Sequence, residues 1–545
     1  MAQSHNIGLP TSEDALGSLL LAIVRVAHQI RHKHPSLTVF VEYYDHNGRK
    51  SLGALIPVLT KQQTMASNGN IKSLPLPAVS LLRVLSVLNS DVIYDDVLTY
   101  GAEKVFLKHY PETRADFIEA RNELIKSSLV TRDPKLGSIK INRLVQDAVR
   151  HELETLELRA VYNAAVVLVS HIWPFSDETN LNRAARLHSV QRLLPHVLMF
   201  KSVLKHEGVG KLKPDIAIAA LFNEASWSHI LQPRGYGLQD GAAFAALSIE
   251  LLRAAKIEDE NLHSKLLADA YRFQGITAFY MDSDLAVPSC REWISLLVKR
   301  IQKYQSQVDI KMLPIAYNEV GMALMRVPVQ SAAEKSWIMS CEALIQAAKP
   351  GDLIFPFPWV HRALVAAYSG DPDSGYSLLL QLLQDREEKL GKDDTETIET
   401  GYILSFMGNV CRLQGHFDEA YDYHKRGASA LKATTGEDSA ATIQAFYRLA
   451  RDHYEDGKFQ QASDLLRKCV AFAGNVPWYK PEAARAHWKL GHALQGLGGK
   501  ENEEEARELL GKAMGLRHEL KPDDEREEPE LNDDDWDQLV YYYYR

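Results

Sequence analysis

The stretch LSFMGNVCRLQGHFDEAYDYHKRGASAL, Leu404–Leu431, decides the fold of this 545-residue chain. Its pattern of small and large residues returns in FYRLARDHYEDGKFQQASDLLRKCV (Phe446–Val470) and in HWKLGHALQGLGGKENEEEARELLGKAM (His487–Met514), the last with a short insertion between its helices. Weaker copies lie upstream. The anchors stand 44, 43, 42 and 41 residues apart, at Val320, Leu364, Met407, Leu449 and Leu490. A period this regular predicts a stack of helix pairs.

The three complete copies resemble the tetratricopeptide repeat (TPR). Small residues at Gly408 and Ala420 allow two helices to cross closely, and the large residue at Phe417 is expected to plug the next repeat. One repeat cannot bury its face alone, so stacking produces a curved solenoid. We predict a TPR array at residues 311–520 and degenerate helical repeats at 160–310. The alternative is an irregular helical bundle, which is harder to exclude for 160–310.

A different pattern precedes the repeats. Helices are predicted over residues 78–88, 91–101 and 114–129, followed by two short strands, LVTRDP and GSIKI, and a helix at Arg143–Glu154. Three helices and a hairpin indicate a winged-helix domain at residues 76–158, which follows a helical segment at 1–70. The predicted fold is therefore mostly α, with an α-solenoid after a small winged-helix domain and an acidic, Tyr-rich tail at 521–545.

This order of domains resembles the C-terminal part of fungal STAND ATPases, the NB-ARC/NACHT-type relatives of NOD-like receptors. In that family the winged helix ends in a motif of the form His-Arg-Leu-Val-Gln, whose His senses the nucleotide. The chain has the frame of this motif at Ile141–Gln146, with Asn142 in place of the His. LGSLLLAI at Leu16–Ile23 resembles a family segment that lies past the nucleotide-binding core, with Leu20 in place of a proline.

The sequence predicts no nucleotide site. A phosphate loop needs GxxxxGK[ST], whose backbone amides cradle the phosphates. The nearest stretches, HEGVGKLKPD at 206–215 and GLGGKENE at 496–503, fail this test. The resemblance thus implies the regulatory half of a STAND protein without its motor, and no cofactor. The alternative explanation is a truncated gene model of a full STAND ATPase.

Catalytic and metal-binding patterns are also missing from the sequence. His188 and His196 lie on an apolar helical stretch, which favours core or capping roles over metal ligation. Asp95–Asp96 and Asp533–Asp535 are interpreted as a helix face and a solvated tail. The chain is therefore expected not to be an enzyme. The alternative function is an accessory or cryptic enzyme of a fungal biosynthetic pathway.

Cysteine spacing and hydropathy suggest a cytoplasmic protein. The four cysteines are widely spaced, which argues against zinc sites and disulfides and favours a reducing compartment. The most apolar run, Leu16–Ala27, is too short for a membrane span and contains Arg25. The predicted third helix of the winged helix balances Arg114, Arg121 and Lys126 with acidic residues. Neither a membrane nor a nucleic-acid partner is therefore expected.

The first helices of the last three repeats should form a basic concave surface. It would comprise Asn409, Arg412, Arg448, Arg451, Arg485 and Lys489. Asn409, Arg485 and Lys489 resemble three positions of the five-residue carboxylate clamp of co-chaperone TPRs, whereas Ser405 and Arg448 depart from it. The expected partner is a protein or an acidic peptide, because guanidinium groups pair well with carboxylates. The alternative is that these residues form a solvated face.

The acidic tail offers an internal ligand for this surface. Residues 501–540 contain sixteen acidic and five basic residues, whereas the rest of the chain is almost neutral. Sixteen extended residues reach about 50 Å, so the tail can fold back across the groove. We hypothesise that it competes with an acidic partner, with Trp536 and Tyr541–Tyr544 covering the exposed end of the last repeat. A disordered tail is the competing view. The predicted function is a non-enzymatic, intracellular interaction or regulatory protein.

Overall fold

The computed structural model describes residues 73–175, 184–205, 216–230, 237–281, 283–325, 330–347, 352–392, 394–474, 479–541, 543 and 545. They form two compact units that divide between Ile218 and Ala219. The predictions for residues 1–70 and for the HEGVGKLKPD stretch lie outside the described residues.

The first unit begins with short helices and a small antiparallel sheet. Its helices are α1 (Leu76–Leu85), α2 (Asp95–Thr99), α3 (Arg114–Lys126) and α4 (Arg143–Glu152), and its strands are β1 (Ile93–Tyr94), β2 (Val130–Asp133) and β3 (Ser138–Ile141). The strand order is β1-β3-β2. Ile93 pairs with Ile139 and Val130 with Ile141, and all four side chains are buried. The assignment of residues 76–158 as a winged helix stays a prediction.

The structure corrects the helix predicted over residues 91–101. Residues 93–94 form β1 and only Asp95–Thr99 is helical. The Asn89 side chain accepts a hydrogen bond from the Asp91 backbone N–H at 3.0 Å, which makes a turn where the helix was expected to begin. Since β1 has only two residues and pairs with a distant strand, it has no sequence periodicity of its own.

Helix α3 does not present a free basic face. Thr113 caps it by accepting a hydrogen bond from the Asp116 N–H at 3.2 Å. Arg121 is buried and its guanidinium lies 2.7 Å from the Asp95 carboxylate. Lys126 pairs with Glu123 at 2.6 Å. Arg121 is therefore held inside the domain, whereas Lys126 is 71% exposed beside an acidic residue of its own helix.

Asn142 of the Ile141–Gln146 motif caps α4. Its Oδ1 accepts a hydrogen bond from the Leu144 N–H at 2.8 Å, a role for which Asn is among the best residues. Gln146 of the same motif is buried, and its Nε2 donates to the carbonyls of Leu85 and Leu88 at 2.8 and 2.9 Å. The motif thus ties α4 to the end of α1.

Helices α5 (Thr155–Ile172) and α6 (Ala184–Lys205) complete the first unit. His196 of α6 is fully buried, and its Nδ1 accepts a hydrogen bond from the Asn89 N–H at 3.1 Å. Burial lowers the pKa of His196 to about 4, so it is a neutral core residue, as predicted. The His188 side chain lies outside the described part. Asp96 pairs with Arg192, so Asp95 and Asp96 both serve structural ion pairs.

The second unit is an α-solenoid, which confirms the predicted fold class. Seven helix pairs are present among its described residues. Their first helices are α7 (Ala217–Ile230), α9 (Glu260–Tyr280), α11 (Gln307–Leu324), α13 (Phe357–Tyr368), α15 (Ile398–Leu413), α17 (Ala440–Glu455) and α19 (Lys480–Leu497). Their second helices are α8 (Leu238–Ala254), α10 (Ala286–Tyr304), α12 (Gln330–Ala347), α14 (Pro372–Leu390), α16 (Phe417–Thr435), α18 (Phe459–Ala473) and α20 (Lys500–Leu520). All five predicted anchors lie on first helices.

Close helix crossings explain the small residues of the repeat. A Cβ at Gly408 would lie 2.3 Å from the His424 ring on α16, and a Cβ at Gly321 would lie 2.3 Å from the Trp337 indole on α12. Such distances leave no room for a methyl group. The insertion predicted in the last repeat is not a loop, because only Gly498 and Gly499 separate α19 from α20. The added residues extend α20 instead.

The large aromatic residue of the repeat, Phe417 in one copy and Phe459 in the next, packs differently in the two copies. Phe459 packs against Gly496 of the next repeat, where a Cβ would lie 2.7 Å from its ring. Phe417 is 57% exposed, so the prediction that it plugs the next repeat is wrong. The residue equivalent to Gly496 in that next repeat is Glu455, whose carboxylate pairs with Arg412. The Phe417 ring instead lies beside the Arg412 guanidinium, whose Cζ is 5.4 Å from the ring centroid.

The tail continues from α20 with two short helical turns. They are a 3-10 helix at Glu528–Glu530 and α21 at Asp533–Asp537. No helix among the described residues is both long and apolar enough to span a bilayer.

Candidate functional site

The six residues predicted to line the groove lie on three neighbouring first helices. Asn409 and Arg412 belong to α15, Arg448 and Arg451 to α17, and Arg485 and Lys489 to α19. Spacings of three or four residues place each pair on one helix face. Five of the six are buried, including Arg485 and Lys489 at 1% exposure, so the solvated-face alternative is wrong for them. The C-terminal tail covers these five residues.

Two carboxylates of α21 meet the cations of the groove. Asp537 bridges two repeats, because its oxygens lie 2.9 Å from Arg485 Nη1 and 3.2 Å from Arg451 Nη1. Asp533 pairs with the Lys489 ammonium. The interpretation of Asp533–Asp535 as a solvated tail is therefore wrong for Asp533, and also for Asp535, whose 14% exposed carboxylate lies 2.9 Å from Arg526 Nη1. Asp534 is exposed. The predicted contact between tail and groove is present.

The pKa values of these groups reflect burial balanced by opposite charge. Burial disfavours the charged form of Asp537, but Arg485 and Arg451 outweigh it and hold the pKa of this carboxyl below its usual range. Burial lowers the pKa of Lys489, an effect that Asp533 opposes. Burial and the charge of Arg485 lower the pKa of Arg448 to about 10, which leaves it positively charged at neutral pH.

Arg448 and Asn409 bind the tail backbone. Arg448 donates from Nε to the main-chain oxygen of Arg545, the last residue of the sequence, at 2.9 Å and from Nη2 to the Tyr543 carbonyl at 3.1 Å. Asn409 Nδ2 donates to the same Arg545 oxygen at 2.8 Å. These bonds go to main-chain atoms, so they hold the tail without selecting its side chains.

Arg412 supports the site without touching the tail. Its Nη1 lies 2.8 Å from Asp452, and its Nη2 pairs with Glu455. Asp452 also contacts the Nδ1 of buried His424, whose Nε2 lies 3.2 Å from Asn409 Oδ1. The prediction that Arg412 faces a ligand is therefore corrected, because carboxylates of the next first helix hold its guanidinium.

Trp536 anchors the helical turn of the tail on the last repeat. It is 0% exposed and stacks on Trp488 of α19, with ring centroids 5.4 Å apart and planes 18° apart. Arg517 of α20 also lies over the Trp536 ring, 5.3 Å from its centroid, and donates to the Asp535 carbonyl at 2.9 Å. Trp536 thus covers the end of the array, as predicted.

The tyrosines of the tail lie elsewhere than predicted. Tyr543 packs against Phe406, His361 and Tyr402, at centroid distances of 4.7, 5.0 and 5.8 Å. Tyr541 donates its hydroxyl hydrogen bond to the Met322 carbonyl at 3.3 Å. They therefore lie on earlier repeats and not on the exposed end of the last one. Tyr542 and Tyr544 lie outside the described residues.

Several residues of the site were not predicted. They are Trp488, His492, Arg517, Phe406 and His361. Trp488 donates from Nε1 to Glu528 at 2.9 Å, and His492 lies 2.8 Å from the same carboxylate. Trp488 and His492 stand on the same first helix as Arg485 and Lys489, so a search for aromatic residues in phase with the cations could have found them.

The described residues contain no group of side chains suited to hold a metal ion. The four cysteines are free, buried thiols. Burial raises the pKa of Cys411 and of Cys469 to about 12 in each case, which keeps both thiols protonated and unreactive at neutral pH.

Two family models match parts of the chain. Residues 399–474 match the tetratricopeptide repeat, which agrees with the helix pairs α15–α16 and α17–α18. Residues 70–158 match a domain of unknown function (DUF7779). The search of curated proteins found no match.

Solved structures resemble the chain weakly. BtubC (BKLC) from P. vanneervenii is 12% identical, with 44% of this chain and 93% of that one covered at a TM-score of 0.36. A Podosopora anserina putative kinesin light chain with nearly identical TPR-like repeats is 16% identical, with 39% and 98% covered at 0.30. A Signal Transduction ATPase with Numerous Domains (STAND) protein with a tetratricopeptide repeat sensor, from Pyrococcus horikoshii, is 12% identical, with 81% and 63% covered at 0.37. At such identities and TM-scores the likeness does not extend to function.

Proposed function

We propose that the chain is a non-enzymatic TPR interaction protein whose groove binds an acidic segment of a partner, and whose own tail competes for that groove. The position of Asp537 between Arg485 and Arg451 carries the proposal. It supports an acidic peptide as the kind of ligand that this surface accommodates. Because the tail occupies the site, a partner must displace the tail in order to bind.

The charges of the groove favour an acidic ligand over a neutral one. A ligand that displaces the tail covers Arg451, Arg485 and Lys489 again and keeps them out of water. A buried ion pair that loses one partner costs about 3–5 kcal/mol, because the other charge stays buried and unpaired. An acidic segment supplies the carboxylates that Asp537 and Asp533 now provide and avoids this cost. A neutral peptide would leave the three cations buried and unpaired.

The sequence supports a wider setting for this module. The Ile141–Gln146 motif and the Leu16–Ile23 segment resemble STAND ATPases, and we propose that the chain derives from that family and acts without hydrolysing nucleotide. The winged-helix assignment of residues 76–158 belongs to the same proposal. Four buried, free thiols fit a reducing compartment, so a cytoplasmic location is included.

Fluorescence anisotropy tests the exchange. The probe is a labelled peptide with the sequence of residues 526–545, added to the intact chain and to a Trp536→Ala/Asp537→Asn double variant. The weakened tail of the variant should free the groove, so the probe should bind the variant about tenfold more tightly than the intact chain. Equal affinity, or no binding by either protein, would overturn the proposal. Far-UV circular dichroism verifies that the variant remains helical.

A further inference from the structure

The geometry points to a specific kind of partner for the groove. Building on the proposed function, we infer that the partner presents a short helical turn with the pattern Asp-x-x-Trp-Asp, followed six residues later by a tyrosine. The tail provides the template, with Asp533, Trp536, Asp537 and Tyr543 at these four positions. Charge alone is therefore not the recognition signal. The register of the charges along a helical turn decides binding.

A capping box forms the helical turn of the tail. Asn532 Oδ1 accepts a hydrogen bond from the Asp535 N–H at 3.1 Å, and Asp535 Oδ2 accepts one from the Asn532 N–H at 3.0 Å. The turn that follows places Asp533 and Asp537, four residues apart, on the same side. A segment that forms this turn locally loses less conformational entropy on binding.

The opposing cations have the same spacing. Arg485 and Lys489 are also four residues apart, on α19, and are separated by about 6 Å along the helix axis. Arg485 pairs with Asp537 and Lys489 with Asp533, so the two i, i+4 pairs match in antiparallel sense. An extended acidic strand rises about 3.3 Å per residue and would separate the same two carboxylates by about 13 Å. Such a strand cannot satisfy both cations with Asp residues at this spacing.

Apolar contacts add two further points of selection. Trp536 fills the surface between Trp488 and Arg517. After Asp537 the chain turns, with the Val540 N–H donating to the Asp537 carbonyl at 3.1 Å. This turn brings Tyr543 into contact with Phe406 and His361. The distance between the two anchors is therefore fixed by the turn and not only by the number of residues.

Two peptides of identical composition, together with a control that carries one substitution, test the register. The parent peptide, residues 526–545, is compared with one that carries Asp537→Gln and Gln538→Asp, which keeps its charge but moves the carboxylate by one position. The matched control carries Asp534→Asn, since Asp534 is exposed on the same turn. Binding is measured by anisotropy to the Trp536→Ala/Asp537→Asn protein. We expect the exchanged peptide to bind about tenfold or more weakly, and the control within about twofold of the parent.

The outcomes separate this inference from the proposed function. If the affinity of the exchanged peptide is within twofold of that of the parent, the groove responds to total charge alone, and the position of each carboxylate along the turn does not affect binding. If neither peptide binds, the proposed function itself is wrong. The same exchange in the full-length chain gives a second measurement, because it should lower the melting temperature whereas Asp534→Asn leaves it unchanged.

Discussion

Asp537 connects the tail with two repeats at once, so its carboxylate is the residue on which the site depends most. Asparagine at this position keeps the shape and loses the charge, which leaves Arg485 and Arg451 without their shared carboxylate. We expect Asp537→Asn to lower the free energy of unfolding by about 3–5 kcal/mol. Urea denaturation measures it, with the exposed Asp534→Asn as control, which should change stability by less than about 0.5 kcal/mol.

Acid should abolish this difference. Because the pKa of Asp537 is depressed in the folded chain, its stabilisation is fully present above the ordinary Asp pKa of about 3.9. The contribution is lost as pH falls through the folded pKa, so the gap between the parent and Asp537→Asn should close only below about pH 4. A gap that closes near neutral pH would show that another group is responsible.

Buried histidines predict a second pH dependence in a higher range. Burial lowers the pKa of His361 to about 3 and that of His424 to about 4. The unfolded chain takes up these protons first, so stability falls as pH drops below the ordinary His pKa of about 6.5. Each histidine should remove about 2 kcal/mol between pH 7 and pH 5. His361→Phe removes one of these two histidines, so the loss of stability between pH 7 and pH 5 should be about 2 kcal/mol smaller. A loss of unchanged size would contradict the assignment of His361 as a buried, neutral group.

The residues of the groove could be predicted where the helical period alone decides which side chains share a helix face. Five of the six predicted positions contact the tail, because the repeat places side chains three or four residues apart on one face. The prediction that Arg412 faces a ligand was wrong, because Asp452 and Glu455 on the next first helix pair with it. Competition between a ligand and a neighbouring repeat is a tertiary effect that spacing within one helix does not contain.

Helix pairs were predicted well because each element repeats a period that packing enforces. Strand β1 was missed because two residues carry no period and their pairing depends on the distant β3. The path of the tail was predicted only in outline. Its charge indicated the groove, but the contact of Tyr543 with Phe406 depends on the turn after Asp537, which no sequence pattern marked.

The close crossing of α15 and α16 gives a prediction at the scale of elements. Gly408→Ala would place a methyl group against the His424 ring and should destabilise the chain by about 1–3 kcal/mol. Gly511→Ala in α20 is the matched control, because no atom lies within 4 Å of its added Cβ. It should stabilise by about 0.5–1 kcal/mol through helix propensity. Equal effects in urea denaturation would show that the crossing is not tight.

At the scale of the whole chain, the tail behaves as part of the solenoid. It supplies Trp536 and Val540 to the buried residues and closes the last repeat, whose end would otherwise be exposed. Removing residues 521–545 should lower the melting temperature by about 5 °C or more in calorimetry. A chain in which the order of residues 533–545 is scrambled keeps the composition and should show a similar loss. Unchanged melting in either variant would mean that the tail is only a solvated end.

The most direct test of the central claim, that the tail lies in the groove, is a double-mutant cycle between Arg485 and Asp537. Arg485→Ala, Asp537→Ala and the double variant are compared by urea denaturation. The exposed pair Arg467–Glu505, 2.5 Å apart, is the control cycle and should give a coupling below about 1 kcal/mol. Tail docking predicts a coupling of about 1.5 kcal/mol or more between Arg485 and Asp537. Additive effects, within about 0.5 kcal/mol, would contradict it.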